Sequence, residues 1–574
     1  MTSQGTILQW VQHQRKPSTV GTKGTPLGAS KNPGGRSGSS TEYEMPTKRV
    51  KRCEQTDDTD GEAGSSQESN MLDPPLFDLG IPCVQSIDTY TMVDDQSSSE
   101  LQSQSPLETR KMIKDSVHGC IYLEPLCMEI IDTVHFQRLR HLKQLGASYF
   151  VYMSATHSRF EHSVGVAHLA EVMLTQLRLH QPWLDITDRD ILCVKVAGLC
   201  HDLGHGPFSH VYDGIFMQQL HERGLDYPAM RGWTHEQGSL DMLNALLVEY
   251  RIDVTAYGLE AIDLDFIREL ILGHPVGKHS AKLFTGRPTK PFLYEVVNNA
   301  KTGLDVDKLD YFMRDAQYTG AKASCDTHLL LSTMRVLPDA TTGVLTMCWP
   351  DKMAEQVMKV FRTRYDLHQA VYQHKATRAI EYMICDILLE ADIADFRIRG
   401  ARIAQAPLDM NAYKCLDDRI LALIETSDDP KLAKSQAILN QIATKPLYKW
   451  AGTTQVTAHS KARTPLQIKL EIAAMGSGGG VNPTQLIVEM NSVHFGQKHK
   501  DPMHAMRFFR KHATTSATCF QLHETTYAMH CPKYFMESNV RLFVRDVRYA
   551  EAARRAFAMW CSHQNMSTVY PQEA

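Results

Sequence analysis

The sequence predicts a mainly α-helical protein with a smaller mixed α+β lobe at its C-terminal end and a disordered tail at its N-terminal end. Three observations carry this expectation. Apolar residues recur at helical period through most of residues 127–392, shorter β-type runs and glycines interrupt that period later in the chain, and residues 1–106 have little apolar periodicity. The expected organisation is a tail over 1–106, a helical domain over 107–395 and a C-terminal lobe over 396–574.

The tail is rich in Ser, Thr, Gly, Gln and Asp, and such a segment buries too little apolar surface to offset its ordering entropy. Within it, Lys48, Arg49, Val50, Lys51 and Arg52 form a basic cluster followed by acidic residues. We read it as a nuclear import signal, with a solvated charge run as the alternative, so nuclear residence with a cytoplasmic share is expected. Ile7, Leu8, Trp10 and Val11 read as a frayed end rather than a docking peptide.

Order is expected from near Lys111. Met128, Ile130, Ile131, Phe136, Leu139, Leu142 and Leu145 recur close to helical period, so a helix is expected over 127–145. Helices are also expected over 164–178 and 188–200. The second is nearly apolar all round, which marks it as buried, and Gly204, Gly206 and Pro207 end it. The helical theme continues over 260–272, 305–315 and 352–392. Beyond it, Gly476, Gly478, Gly479 and Gly480 read as a flexible loop. Thr484–Met490 and Arg507–Lys511 read as strands, and Arg545–Cys561 reads as a helix with Ala553, Phe557 and Trp560 on one face.

Composition excludes several classes. A formal net charge of -4 carries no global basic excess, so any nucleic-acid surface must be local. The 13 cysteines include no CxxC pair, which argues against a zinc ribbon or disulfide framework and fits a reducing compartment. No apolar stretch suits a bilayer, and the first residues make a poor secretory signal.

The densest chemistry lies between Cys200 and His210, where His201, Asp202, His205 and His210 crowd a glycine-broken segment. An Asp at the end of a buried helix loses hydration, and a divalent cation held with His201 would compensate it. A helix-capping Asp beside a core His is the plainer reading of a lone His-Asp pair. Here His162 precedes it and Asp307 follows, giving the order H…HD…D. Two imidazoles and two carboxylates suit Fe, Mn or Zn.

This order is the pattern of the HD phosphohydrolase superfamily, whose members are helical bundles. The segments KDSVHGCIYLEPL, FQRLRHLKQLG, HSRFEHSVGV, GLCHDLGHGPFSHVYDG, WTHEQGS, GLDVDKLDYFMRD and LHQAVYQHK bring the likeness closer. From about Lys111 to about Trp560 the chain resembles the animal SAM-and-HD-domain deoxynucleoside triphosphate triphosphohydrolases, although the tail holds no recognisable SAM domain. The resemblance implies an HD catalytic domain over 107–395 and a regulatory and oligomerisation lobe over 396–574. It implies hydrolysis of deoxynucleoside triphosphates to deoxynucleoside and inorganic triphosphate, control of the dNTP pool and restriction of viral DNA synthesis in innate antiviral defence.

The same resemblance implies roles. His162, His201, Asp202 and Asp307 would hold the metal, with Mg accompanying the nucleotides. His205, His210, Asp213 and His235 would be catalytic, and the sequence does not choose the general acid among the histidines. Gln144, Leu145, Arg159, Lys308, Tyr311, Asp315, Arg364, His368, Tyr372 and Gln373, with His205 and His210, would bind substrate, and Tyr372 would exclude ribose. Arg364, His368, Tyr372 and Lys375, spaced four, four and three apart, are expected on one helix face, as are Asp307, Tyr311 and Asp315.

GTP or dGTP and a dNTP would act as activators that assemble a homotetramer. Lys111, Met112, Asp132, Gln137 and Arg140 match one activator site; Val151, Arg335, Lys352, His374, Lys375 and Lys511 match parts of the other. Solvated surface is the plain reading of these scattered charges. Lys114, Pro350, Gln436 and Asn440 depart from the family pattern, so activation is expected to be retuned, because Pro, Gln and Asn cannot replace a bidentate Arg. The alternatives are an HD nuclease or phosphodiesterase and a nucleic-acid-binding protein. Single-stranded nucleic acid at a basic subunit surface stays open as a secondary partner.

Overall fold

The computed structural model describes residues 110–225, 227–276, 283–475, 481–510 and 517–570. The tail with its basic cluster, the glycines of 476–480 and Lys511 lie outside the described residues.

The fold is mainly α, as the periodicity predicts. A hairpin of β1 (Lys111–Asp115) and β2 (Gly119–Leu123) leads into the helical domain. Its longer helices are α1 (Arg159–His180), α2 (Asp188–Cys200), α3 (His235–Glu249), α4 (Ala261–Leu272), α5 (Val306–Thr319), α6 (Ala354–Leu367) and α7 (Lys375–Ile393). Local chemistry sets where they start. Ser158 and Glu161 form a capping box on α1, Thr187 and Asp190 another on α2, and Asp305 caps α5 by accepting from the Lys308 amide.

Helix α2 is buried on nearly every side. Lys195, in the middle of the helix, is also fully buried. It donates to the Tyr122 carbonyl at 2.7 Å and pairs with Glu124 at 2.8 Å and with Glu171. A charge in such a place survives only because its donors are satisfied.

The helix expected over 127–145 is broken into Pro125–Ile131, Val134–Gln137 and a tighter turn at Arg138–His141. Thr133 is the cause: its hydroxyl accepts from the Phe136 amide and restarts the helix in a new direction. The apolar residues still face one core, so periodicity alone did not reveal the breaks.

The C-terminal lobe is built on a four-stranded antiparallel sheet. Its order is β9 (Thr568–Val569), β5 (Lys449–Gln455), β8 (Met536–Val544), β6 (Leu486–His494). A smaller sheet orders β3 (Arg335–Pro338), β4 (Leu345–Pro350) and β7 (Phe508–Phe509). Of the strand expected over Arg507–Lys511, Phe508–Phe509 is the part seen as a strand among the described residues, and the expected helix at Arg545 begins at Ala550 as α8 (Ala550–His563).

Strands β5 and β8 are not legible as alternating patterns, and β8 shows why. Phe543 packs into the main core, whereas Val540, Leu542 and Val544 join a second core with Phe557, Trp560 and Ile468. A strand covered on both faces loses its period of two.

Gly165, one turn after His162 on α1, marks a close approach that matters for the site. A Cβ there would lie 2.0 Å from Asp310 Oδ1 and 2.4 Å from an Arg314 nitrogen, both fully buried side chains. Gly165→Ala is expected to destabilise the fold by about 3 kcal/mol, because it overpacks and splits a buried ion pair. Urea unfolding measures this, and an unchanged midpoint would reject the contact.

Candidate active site

Three helix ends bring four side chains together. The first turn of α1 supplies His162, the residues just after α2 supply His201 and Asp202, and the first turn of α5 supplies Asp307. His162 Nε2 lies 3.1 Å from Asp307 Oδ1 and 3.7 Å from Asp202 Oδ2. His201 Nε2 lies 3.3 Å from Asp202 Oδ1 and 3.5 Å from Asp307 Oδ1. The H…HD…D residues therefore converge on one point.

The surroundings aim these groups. His201 Nδ1 donates to the Gly198 carbonyl at 2.8 Å, which turns Nε2 inward, where it is buried without a hydrogen-bond partner. His162 Nδ1 donates to Asp310 Oδ2 at 2.7 Å. Asp310 is itself held by Arg314 at 2.9 and 3.0 Å and by His118 at 2.6 Å. A carboxylate behind a ligating imidazole fixes its tautomer and raises its basicity. Two inward imidazole nitrogens, one of them orphaned, beside two carboxylates fit a divalent cation of the borderline class. Burial opposes charge on His162, but hydrogen bonds to Asp307 and Asp310 outweigh it and push its pKa up to about 10, so a proton competes for the place a cation takes.

Beside this centre sits a second cluster. Two stretches that close wide i→i+5 turns, Val211–Phe216 and His368–Tyr372, carry site residues, as such turns often do. Asp213 lies in the first. Its Oδ2 accepts from His235 Nδ1 at 2.7 Å and its Oδ1 faces His210 Nδ1 at 3.4 Å. His205 stacks on His235 with ring centroids 3.9 Å apart, and its Nε2 lies 3.3 Å from Asp202 Oδ1.

The environments separate the three imidazoles. Burial, reinforced by Arg159 and His235, holds His205 well below the ordinary histidine range, so it is neutral. Burial also opposes charge on His235, but the Asp213 hydrogen bond and charge outweigh it and raise its pKa. His210 is exposed at the cavity mouth. Phe208 and Ser209, just before it, adopt left-handed φ of 58° and 55°, conformations that cost roughly 1–3 kcal/mol each and persist only under outside support.

Both clusters open on a cavity of about 590 Å³. All the expected metal and substrate residues line it: His162, His201, Asp202 and Asp307, and Gln144, Leu145, Arg159, His205, His210, Lys308, Tyr311, Asp315, Arg364, His368, Tyr372 and Gln373. His235 also lines it, whereas Asp213 stands behind its imidazole partners. Arg159 pairs with Asp202, Lys308 pairs with Asp305 at 2.8 Å, and Arg364 donates to the His494 carbonyl of β6 at 2.8 Å. At the other side the Tyr372 hydroxyl donates to Asp315 Oδ2 at 2.6 Å, and Asp315 Oδ1 bonds His157 at 2.8 Å.

Asp307, Tyr311 and Asp315 share the cavity face of α5 as expected. Lys375 does not share a face with Arg364, His368 and Tyr372. The wide turn at His368–Tyr372 and the break before α7 rotate it away, and its ammonium sits 3.3 Å over the Trp450 ring instead.

Among the described residues, those expected to bind activators do not line this cavity. Lys111, Met112, Asp132, Arg140, Lys352 and Lys375 are exposed, while Gln137, Val151, Arg335 and His374 are half-buried. Among the described ones, Arg140 donates to Gln137 at 2.8 Å and lies 3.4 Å over the Phe160 ring, and Arg335 donates to the Met334 carbonyl at 2.6 Å. Among the departures, Gln436 spends its amide on the carbonyls of Ile424 and Ser427, and Pro350 ends β4.

Sequence reasoning missed Asp310, Arg314 and His118 behind His162, and Arg378 and Glu381 on the cavity wall. Asp310 had a signal, since it follows Asp307 by three positions on one helix; His118 had none beyond its motif.

An HD domain model matches residues 159–242, which include His162, His201 and Asp202. The chain is similar to "Deoxynucleoside triphosphate triphosphohydrolase SAMHD1" from Mus musculus, 36% identical over 486 residues, 80% of this chain and 72% of that one. The Homo sapiens protein of that name is 38% identical over 482 residues, 80% and 75% of the two chains. A homolog from Dictyostelium discoideum is 34% identical over 489 residues, 85% and 86% of the two chains.

Proposed function

The chain belongs to the SAMHD1 family of HD-domain deoxynucleoside triphosphate triphosphohydrolases, and on that premise we propose that it cleaves deoxynucleoside triphosphates to deoxynucleoside and inorganic triphosphate in the cavity described. One observation carries the reading. The two-His, two-Asp centre opens on the same cavity as Arg159, Lys308 and Arg364, a histidine–aspartate cluster and a tyrosine–aspartate pair, each suited to a different part of one nucleotide.

His162, His201, Asp202 and Asp307 would hold the divalent cation, Zn, Fe or Mn, with Mg accompanying the nucleotides. Such a cation supplies Lewis-acid polarisation of a phosphoryl oxygen and acidifies water. Arg159, Lys308 and Arg364 neutralise and orient the triphosphate. The 5′ oxygen leaves as a poor alkoxide and needs a proton, which comes from the imidazoles that Asp213 keeps oriented, with His235 as the charged member. His205, neutral and buried, accepts or relays rather than starting with a proton.

Asp315 and Tyr372, locked together and backed by His157, meet the sugar. A tyrosine ring against C2′ leaves no space for a hydroxyl there. Tyr372→Ala is expected to lower the preference for dGTP over GTP by about tenfold or more; unchanged selectivity rejects the gate.

GTP and dNTP activation, a homotetramer, nuclear control of the dNTP pool and a secondary single-stranded nucleic-acid activity belong to the same reading. Activation is retuned in it, since Gln436 is committed to backbone carbonyls and Pro350 carries no charge. The test is purified protein with dGTP, GTP and Mg²⁺ or Mn²⁺. Deoxyguanosine with intact triphosphate supports the proposal; dGMP with pyrophosphate overturns it.

A further inference from the structure

Asp418 belongs to none of the site motifs and lies in the turn before the short helix Ile420–Glu425. Its carboxylate nevertheless reaches the active-site loops. Oδ1 accepts from the Phe208 amide at 2.6 Å and Oδ2 accepts from the Lys143 amide at 2.8 Å. Phe208 stands between His205 and His210 in the left-handed segment, and Lys143 directly precedes Gln144 and Leu145.

Other contacts share this geometry. Arg138 donates to the carbonyls of Leu203 at 3.2 Å and His205 at 2.6 Å, and its Nε donates to Leu416 at 2.8 Å. Ser209 Oγ donates to the Lys143 carbonyl at 2.9 Å and accepts from Arg159 Nε at 3.0 Å. The segment 203–209 is thus gripped by its carbonyls through a cation and by one amide through an anion, and both grips run to residues 416–418.

We propose that Asp418 is a positioning residue for the hydrolytic site, setting the spacing between the loop that presents Gln144 and Leu145 and the loop that presents His205 and His210. The proposal rests on the activity proposed above. It acts through two backbone amides and touches no reacting atom. A carboxylate offers an acceptor to each amide. An isosteric Asn offers one and aims a donor at the other, which leaves a buried N–H without a partner.

The charge state of Asp418 gives the role a signature. Burial raises its pKa, the two amides lower it, Asp417 raises it and Arg138 lowers it, and the balance pushes it up to about 7. The other groups around it are the Tyr149 phenol, the His141 carbonyl, which accepts from the Asp418 amide at 3.2 Å, and Lys143, whose ammonium turns away to Thr156. Asp417 is paired with Arg419 at 2.7 Å. A raised carboxyl pKa means that the double acceptor is lost as pH falls through about 7, so turnover falls on the acid side.

Two variants and two readouts decide. Asp418→Asn is expected to lower kcat for dGTP about 10- to 100-fold with little change in KM or bound metal, and to lose the acid limb near pH 7. Hydrogen exchange is expected to quicken in residues 142–147 and 203–210 while α2 keeps its protection. Asp417→Asn removes a neighbouring charge, so it keeps wild-type turnover at pH 8 and moves the acid limb to lower pH. An Asp418→Asn protein with wild-type kcat, unchanged exchange in both segments, or an unmoved limb in Asp417→Asn overturns the proposal. Wild-type protein that releases no triphosphate from dGTP overturns the activity instead, and the exchange result then decides the positional role alone.

Discussion

His201→Ala is expected to remove bound metal and turnover together while leaving the protein folded. His201 sits at the C-terminal end of α2, partly open to the cavity, so its loss removes a ligand without emptying the core. What remains is His162 with Asp202 and Asp307, two carboxylates with less cationic compensation. A catalytic cation contributes several kcal/mol to the transition state, so a loss of about 4 kcal/mol corresponds to roughly a 10³-fold fall in turnover. Elemental analysis, triphosphate release and thermal unfolding measure the three parts. A variant that keeps its metal and its turnover rejects the four-residue centre. Metal uptake should also weaken on acidification, because the carboxylates that bind a cation hold a proton on His162 with a pKa of about 10.

Asp213→Asn is the second large effect, and it acts without touching the metal. The carboxylate is held far below the usual range: burial raises its pKa, and His210 and His235 lower it more. Burial lowers the His235 pKa, and the Asp213 hydrogen bond and charge raise it more. An Asn preserves shape but removes that charge, so the acid form of His235 disappears at a lower pH. A raised imidazole pKa keeps the proton available up to higher pH, so the alkaline limb of kcat should move to lower pH in the variant. Turnover should fall about 10²- to 10⁴-fold with metal content unchanged, the range for removing general acid support. Equal kcat at neutral pH, or an alkaline limb that stays in place, rejects the acid role.

The legible part of the site was the part written in short, local patterns. His162, His201, Asp202 and Asp307 each sit within one turn of a helix end, and helix ends have chemical markers such as Ser158, Thr187 and Asp305. The cavity residues Tyr311 and Asp315 followed from the period of α5. Where the backbone left the regular period, that reasoning failed. The breaks near Thr133 and the wide turn at His368–Tyr372 changed directions that spacing had assumed, and Lys375 ended against Trp450.

By themselves, then, the residues determined the helical class, the family, the four side chains for a cation and the histidines beside them. Only the tertiary structure decided in which direction burial and partners shift His205 and His235, what stands behind each ligand, and how the C-terminal lobe reaches the cavity. Those matters depend on partners 22 to 210 positions apart, such as Asp213 with His235, His162 with Asp310, and Asp418 with Phe208. Protonation and orientation are set by the total field and hydrogen bonding at a point in space, and a linear order of residues carries no distance between side chains that far apart.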